Sequence, residues 1–265
     1  MSGPVRIHLL RPFHPTVHRP LRFRIDRWAA WAPGLSTQEQ WLGWLAAPQA
    51  IEAGAVAPLA AMPPMQRRRM DPLGRAALEA AFQVQPEPAG PVVFASRWAE
   101  LARTEQLLGE LARQEPLSPT QFGLSVHNAV GALFSIARGD RGNYLAVAAG
   151  KHSVEAGFVE ALGLLADGAP RVMVVAYDGP PPALSASALR DEAPESFIHA
   201  MACELSVSSS DNGGFTLTTA KAPSAQDEDL PDALQVLRFL VASDAPELLR
   251  GQDGRGWRWG RVHHA

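Results

Sequence analysis

Asn143-Tyr-Leu-Ala-Val-Ala-Ala-Gly-Lys151-His-Ser-Val-Glu-Ala-Gly-Phe-Val-Glu-Ala-Leu-Gly-Leu-Leu-Ala-Asp-Gly168, followed at once by Arg171-Val-Met-Val-Val-Ala-Tyr-Asp178, decides how this chain is read. The stretch gives a buried strand over 144–149, a tight turn, an amphipathic helix over about 152–167 and a second buried strand over 171–177. Strands alternating with helices through crossovers belong to a layered α/β sheet with right-handed connections. The turn carries Lys151, with His152 and Ser153 directly after it.

Upstream, Thr120-Gln-Phe-Gly-Leu-Ser125-Val-His127-Asn128 runs into Ala-Val-Gly-Ala-Leu-Phe134-Ser-Ile-Ala-Arg138-Gly139, which reads as one helix, apolar around its circumference. Such a helix has to be buried in a domain or at a subunit contact. The apolar run over 91–96 suits a central strand, and a charged amphipathic helix through Leu101, Leu107, Leu108 and Leu111 follows it. Asp71-Pro72 has the cap and first-turn chemistry of a helix whose buried stripe is Leu73, Ala76, Ala77, Ala80 and Ala81. Ser36-Thr-Gln-Glu39 reads as a capping box opening a helix through Trp41, Leu42, Trp44 and Leu45 that stops before Pro48. Residues 21–26 alternate like a half-exposed strand, residues 47–65 form an Ala- and Pro-rich connection, and the Pro-studded residues 1–20 form an irregular arm.

Downstream, Gly179-Pro-Pro-Pro182 is a loop, and strands near 200–206 and 215–220 pair around the reversal signal Asp211-Asn212-Gly213-Gly214. After the polar linker Asp227-Glu-Asp-Leu-Pro-Asp232 a last helix covers 233–240, within a C-terminal extension over 222–265. The 265 residues are read as a single domain without internal repeats.

With 46% hydrophobic and 19% charged residues the composition is that of a soluble globular protein. A net charge of −3 gives no electrostatic reason to expect nucleic acid or an anionic membrane, and Arg67-Arg68-Arg69 is a short solvated run. No stretch approaches the roughly 20 apolar residues of a membrane span, and the first residues lack the apolar core of a signal peptide, so a cytoplasmic protein is expected. Cys203, the only cysteine, excludes an intramolecular disulfide and a cysteine-based metal cluster.

Several residues invite chemical readings, each beside a plainer one. Cys203 is a thiol nucleophile or, within its apolar strand pattern, a small core residue. Lys151 is a Schiff-base lysine or a substitution at a disused turn that plugs a channel. His127 is a base beside Ser125 or a satisfied buried histidine; the second glycine of a Gly-x-Ser-x-Gly turn is missing. Gly150-Lys151-His152-Ser153 is not a phosphate loop, because Leu145 stands where its first glycine belongs and no Ser or Thr directly follows the lysine. His8, His14 and His18 lack the carboxylates and spacing of a metal site. No cofactor and no metal is expected.

Met62-Pro63-Pro64, Arg67-Arg-Arg69-Met70, Leu73-Gly-Arg75-Ala-Ala-Leu, Ser118-Pro-Thr-Gln-Phe122-Gly-Leu-Ser125-Val-His127-Asn128 and Ser135-Ile-Ala-Arg-Gly139, taken with the strand-turn-helix, resemble the N-terminal half of β-ketoacyl synthases. Within that family they are similar above all to the chain length factors of bacterial aryl polyene and related polyketide pathways. The resemblance covers about two-thirds of the chain. It implies half of a thiolase-like fold, a five-stranded mixed sheet with helices on both faces and an accessory layer. It also puts Lys151 at the elbow position where the family carries its cysteine nucleophile. The two histidines of the family's second half have no counterpart here, since His199, His263 and His264 stand in other contexts.

Decarboxylative condensation needs a thiolate and a site for the developing enolate, so the resemblance implies a non-catalytic subunit. Such a subunit pairs with a full-length ketosynthase, with a homodimer as fallback, and holds a chain borne by acyl carrier protein. The elbow and tunnel wall would be Phe122, His127, Asn128, Phe134, Lys151, His152 and Ser153. The interface would be Tyr144, Leu145 and Val147, because in the family the strand before the elbow meets its counterpart across a two-fold or pseudo-two-fold axis. The rival readings are an acyltransferase or thioesterase using Ser153 or Cys203, and a homodimeric scaffold that binds carrier protein.

Overall fold

The structure, a computed structural model, describes residues 20–85, 87–189, 196–208, 213–221, 230–252 and 254–263. In chain order it contains strand β1 (Phe23–Trp31), helices α1 (Gln38–Ala46), α2 (Pro64–Arg67) and α3 (Pro72–Val84), and strand β2 (Val92–Ala95). Helices α4 (Leu101–Ala112), α5 (Pro119–Gly123) and α6 (Ala129–Arg138) precede strand β3 (Tyr144–Val147), helix α7 (Ser153–Ala166) and strand β4 (Val172–Asp178). Strands β5 (His199–Val207) and β6 (Gly214–Ala220), helix α8 (Asp232–Val241) and strands β7 (Glu247–Gln252) and β8 (Arg255–Val262) complete it.

Among the described residues the strands form one eight-stranded sheet in the order β3-β2-β4-β5-β1-β6-β8-β7. The α/β class and mixed sheet match the sequence reading; five strands are too few. β2 pairs in parallel with β3 and β4, and every later pairing is antiparallel. All of β4 is buried, which is why its sequence is a continuous apolar run: alternate side chains enter the two cores on opposite faces. Val174 and Ala176 lie in the core containing Phe158, Leu234 and Trp259; Met173, Val175 and Tyr177 lie in the one containing Ala77 and Phe134. The sheet is therefore sandwiched between α7 and α8 on one face and α3 and α6 on the other.

Four local expectations are corrected. The cap of α1 is Thr37, whose hydroxyl accepts from the Gln40 N–H at 3.3 Å while Gln40 Oε1 reaches back to the Thr37 N–H at 3.1 Å; the box lies one residue beyond Ser36 and Glu39. The apolar helix is two pieces, α5 and α6, interrupted over 124–128 after the Leu124 N–H closes α5 on Thr120 and Gln121. Of the outer α4 leucines only Leu107 is buried, while Leu108 and Leu111 are exposed. Strands β5 and β6 run in the same direction, each antiparallel to β1, which lies between them, so they form no two-stranded hairpin.

The arm with His8, His14 and His18, the reversal residues Asp211 and Asn212, and linker residues 227–229 lie outside the described residues. The segment after them contributes more than its expected helix: β8 pairs with β6 along its length and β7 closes that edge of the sheet.

Candidate functional site

The carboxyl ends of the parallel strands β3, β2 and β4 lie side by side, the usual location of ligand sites in open α/β sheets. Leaving β3, the chain makes an elbow. Gly150 has φ +58°, a left-handed conformation that costs glycine little, and Ala149 bridges to Lys151 across it. The His152 N–H donates to the Ala149 carbonyl at 3.1 Å and the Ser153 N–H to the Gly150 carbonyl at 3.1 Å. At Gly157 a Cβ would come within 2.8 Å of the Ala95 Cβ, so the missing side chain lets α7 lie close on β2 behind the elbow.

Ser153 is 2% exposed, and its hydroxyl donates to the Gly150 carbonyl at 2.7 Å while accepting from the Ala149 N–H at 3.0 Å. It braces the turn and is not aimed at a substrate. Cys203 is fully buried in β5 between Val174 and Trp28, and burial pushes its thiol up to about 12. A thiol in that state has almost no thiolate at neutral pH. Neither residue has the surroundings of an activated nucleophile.

Lys151 and His152 are half-buried, and His152 Nδ1 has no hydrogen-bond partner among the described residues. His127, also half-buried, puts Nε2 3.0 Å from the Ser96 carbonyl at the end of β2. Asn128 is exposed and makes no side-chain cap bond to α6; Phe122 on α5 is 65% exposed. Phe134 is different: at 1% exposure it meets Phe82 and Phe94 edge-on, under the Arg138 guanidinium, and belongs to the core behind the site.

Tyr144, Leu145 and Val147 are half-buried on β3, the outermost strand on its side of the sheet. A groove of about 590 Å³ runs along that edge between Asn128, Asn143, Tyr144, Ala146 and Leu164.

Sequence reasoning missed the polar floor of the site. Ser96 Oγ donates to Asp178 Oδ1 at 2.9 Å, and the Arg97 backbone N–H donates to the same carboxylate at 2.9 Å. Glu155, Asp232 and Arg250 are buried behind the elbow. The available signal was a charged residue inside an apolar pattern, as at Glu155 in the first turn of α7 and Asp178 at the end of β4. A second cluster joins buried Glu100 to half-buried Asp71 and Arg103, within electrostatic reach of Tyr177. Burial, and then the Asp71 charge, push Glu100 up to about 7 against the opposing pull of Arg103. Burial likewise raises Asp71 and, with the Glu100 charge, Tyr177. Among the described residues no His, Cys, Asp and Glu group could hold a metal ion, and no helix is long and apolar enough to cross a membrane.

The sequence model of the family described as beta-ketoacyl synthase, N-terminal domain, matches residues 41–260. The chain belongs to that family. Its fold superposes on a chain of the ketosynthase ApeO in complex with its chain length factor ApeC from Xenorhabdus doucetiae, with TM-score 0.79 and 29% identity, over 91% of this chain and 100% of that one. The ishigamide ketosynthase/chain length factor matches at TM-score 0.59 and 16% identity, over 76% of this chain and 67% of that one. The oxazolomycin ketosynthase domain OzmH KS7 of Streptomyces albus JA3453 matches at TM-score 0.55 and 13% identity, over 77% of this chain and 48% of that domain. These last two matches speak for the thiolase-like ketosynthase fold alone. No curated protein sequence matches the chain significantly.

Proposed function

We propose that this β-ketoacyl synthase-like chain is a non-catalytic subunit of the chain length factor type, pairing with a full ketosynthase and shaping the tunnel for a carrier-bound acyl or polyene chain. The observation that carries the proposal is the elbow: the chain turns sharply at 149–153 with Ser153 consumed in bracing the turn, and we read Lys151 as standing where the family's nucleophile belongs. A thiolate is what begins condensation in this family, so a lysine there supplies no thiolate and leaves a surface that can bound a chain.

The likeness to a chain of the ApeO–ApeC complex, all of which is covered by the match, supports the same reading. An aryl polyene-like pathway of the polyketide or fatty acid type is the setting proposed for it, with acyl carrier protein as the donor of the growing chain. The open edge of β3, with Tyr144, Leu145 and Val147 half-exposed beside the groove, is the expected contact with the ketosynthase. Phe122, His127, Asn128, Lys151 and His152 would line the tunnel end, with Phe134 supporting them from the core.

The test is co-expression with a ketosynthase encoded beside it, followed by turnover with acyl and malonyl carrier proteins. The pair should co-purify and condense, and this chain alone should do neither condensation nor acyl transfer. Turnover by this chain alone, or full activity and unchanged products of the ketosynthase without it, would overturn the proposal.

A further inference from the structure

Behind the elbow runs a set of buried charges that the proposed role has not yet used. Glu155, in the first turn of α7, is fully buried; its Oε1 accepts from Arg250 Nε at 2.7 Å and from Trp259 Nε1 at 3.4 Å. Trp259 also packs edge-on against Phe158, with ring centroids 4.8 Å apart, so β8 grips α7 at consecutive turns. Arg250 spreads its other nitrogens to Asp232 Oδ1 and Gln235 Oε1 on α8, each at 2.6 Å. Asp232 pairs in turn with Arg97. The Arg97 N–H and Ser96 Oγ both donate to Asp178. The Ser96 N–H donates to the carbonyl of Val147, the last residue of β3, at 3.2 Å, and its carbonyl faces His127. An unbroken run of polar contacts thus links the C-terminal strands to the elbow helix, the end of β3 and His127.

Glu155 and Asp232 stand against Arg97 and Arg250, while the Asp178 carboxylate is met by the Ser96 hydroxyl and the Arg97 N–H. Such pairs stabilise little compared with apolar residues of the same volume, because desolvation consumes most of the attraction. What a guanidinium adds is geometry, since its planar fork fixes several acceptors at once.

We infer that Arg250 is the positioning residue of the elbow: delivered by β7, it fixes the first turn of α7 directly and the ends of β2 and β3 through Asp232 and Arg97. Lys151 and His152 are thereby held at a set place relative to the β3 edge. Only the consequence for product length rests on the tunnel-shaping reading above.

The experiment uses the double variant Glu155→Met/Arg250→Met, which removes one charge of each sign and leaves Arg97 paired with Asp232. Deuterium uptake is followed in peptides covering 149–157 and, as a control, α3. The expected result is a near-native melting temperature with uptake at 149–157 faster by about tenfold or more and α3 unchanged. Native-like uptake at the elbow, or equal acceleration in α3, would overturn the inference by reducing Arg250 to a packing residue. The single change Arg250→Met should melt earlier than the double variant, having left Glu155 without its cation; the reverse order counts against the inference. In complex with the ketosynthase the double variant should broaden the product-length distribution. A loosened elbow with unchanged products would uphold the positioning role and sink tunnel shaping instead.

Discussion

Lys151 lies half-buried on a turn whose neighbours Ala149 and Gly150 are exposed, whereas Glu155, one helical turn later, is fully buried and held by Arg250 and Trp259. The first position can change its chemistry without disturbing the fold, because Gly150 and Ser153 hold the turn through backbone contacts. The second cannot, because the Arg250 Nε–H and the Trp259 indole N–H are both directed at its carboxylate from within the core. The difference teaches how an elbow can tolerate a change of chemistry at its tip and keep its shape: the geometry resides below the turn, in residues buried behind it.

The largest effect is expected where that comparison is broken from below. Glu155→Leu leaves the Arg250 guanidinium with Asp232 and Gln235 but without its second carboxylate, and removes the acceptor of Trp259. Removing one partner of a buried pair costs on the order of 3–5 kcal/mol, so chemical denaturation should show a loss of that size. A loss below about 1 kcal/mol would mean that the elbow is held by something else.

Val147→Glu probes the other side of the elbow. Val147 is half-buried on an outermost strand, so the carboxylate stays hydrated in the isolated chain and the fold should survive nearly unchanged. Pairing is another matter, since the same group would enter an interface without a partner. Sedimentation should show the variant folded yet weakened in ketosynthase binding by roughly 100-fold or more. Undiminished pairing would move the interface away from β3.

How far these regions could be read beforehand follows from where their information lies. The strands β2 and β4 and the helices α3 and α7 are legible because caps and apolar runs are local; Asp71 accepts from the Gly74 N–H at 2.6 Å as its position before Pro72 predicts. β8 escaped because Arg, Gly and Trp dominate it and its long-range pairing with β6 makes it a strand, and β7 escaped with it because β7 pairs only with β8. The insertion of β1 between β5 and β6 is equally a matter of distant pairing, invisible to a turn signal at Gly213-Gly214. The elbow itself was legible, with Lys151 at its centre. The Arg97–Asp232–Arg250–Glu155 set was not, because it joins residues from four separate elements.

A smaller, pH-dependent effect separates this balanced set from the unbalanced pair Asp71 and Glu100. Glu100 is raised to about 7 from 4.5, so the stability that comes with its protonated form is full below the unfolded value and is lost as pH rises through the folded one. His199 works in the opposite sense: burial lowers it to about 4 from 6.5, so its contribution is lost as pH falls through that range. Glu100→Gln should therefore flatten the decline between about pH 5 and 8 by on the order of 2 kcal/mol, and expose a fall in stability toward acid. Melting curves that keep the native pH slope would exclude Glu100 as its source.

The smallest effect on stability belongs to Lys151, and it is the most telling for function. Lys151→Ala removes a half-buried side chain from a turn fixed by backbone and Ser153 contacts, so the change should lie within about 0.5 kcal/mol and leave pairing intact. If Lys151 bounds the tunnel, the product distribution shifts toward longer chains with alanine and shorter ones with a bulky replacement such as Lys151→Trp. A covalent lysine predicts something else: turnover disappears with alanine, and borohydride traps an adduct on the native chain. Lys151 and Lys221 are the only lysines, so peptide mapping assigns such an adduct unambiguously. The expected outcome is no adduct and a modest shift in length. Identical products from the native, alanine and tryptophan forms would leave the elbow as a structural joint and remove Lys151 from the tunnel.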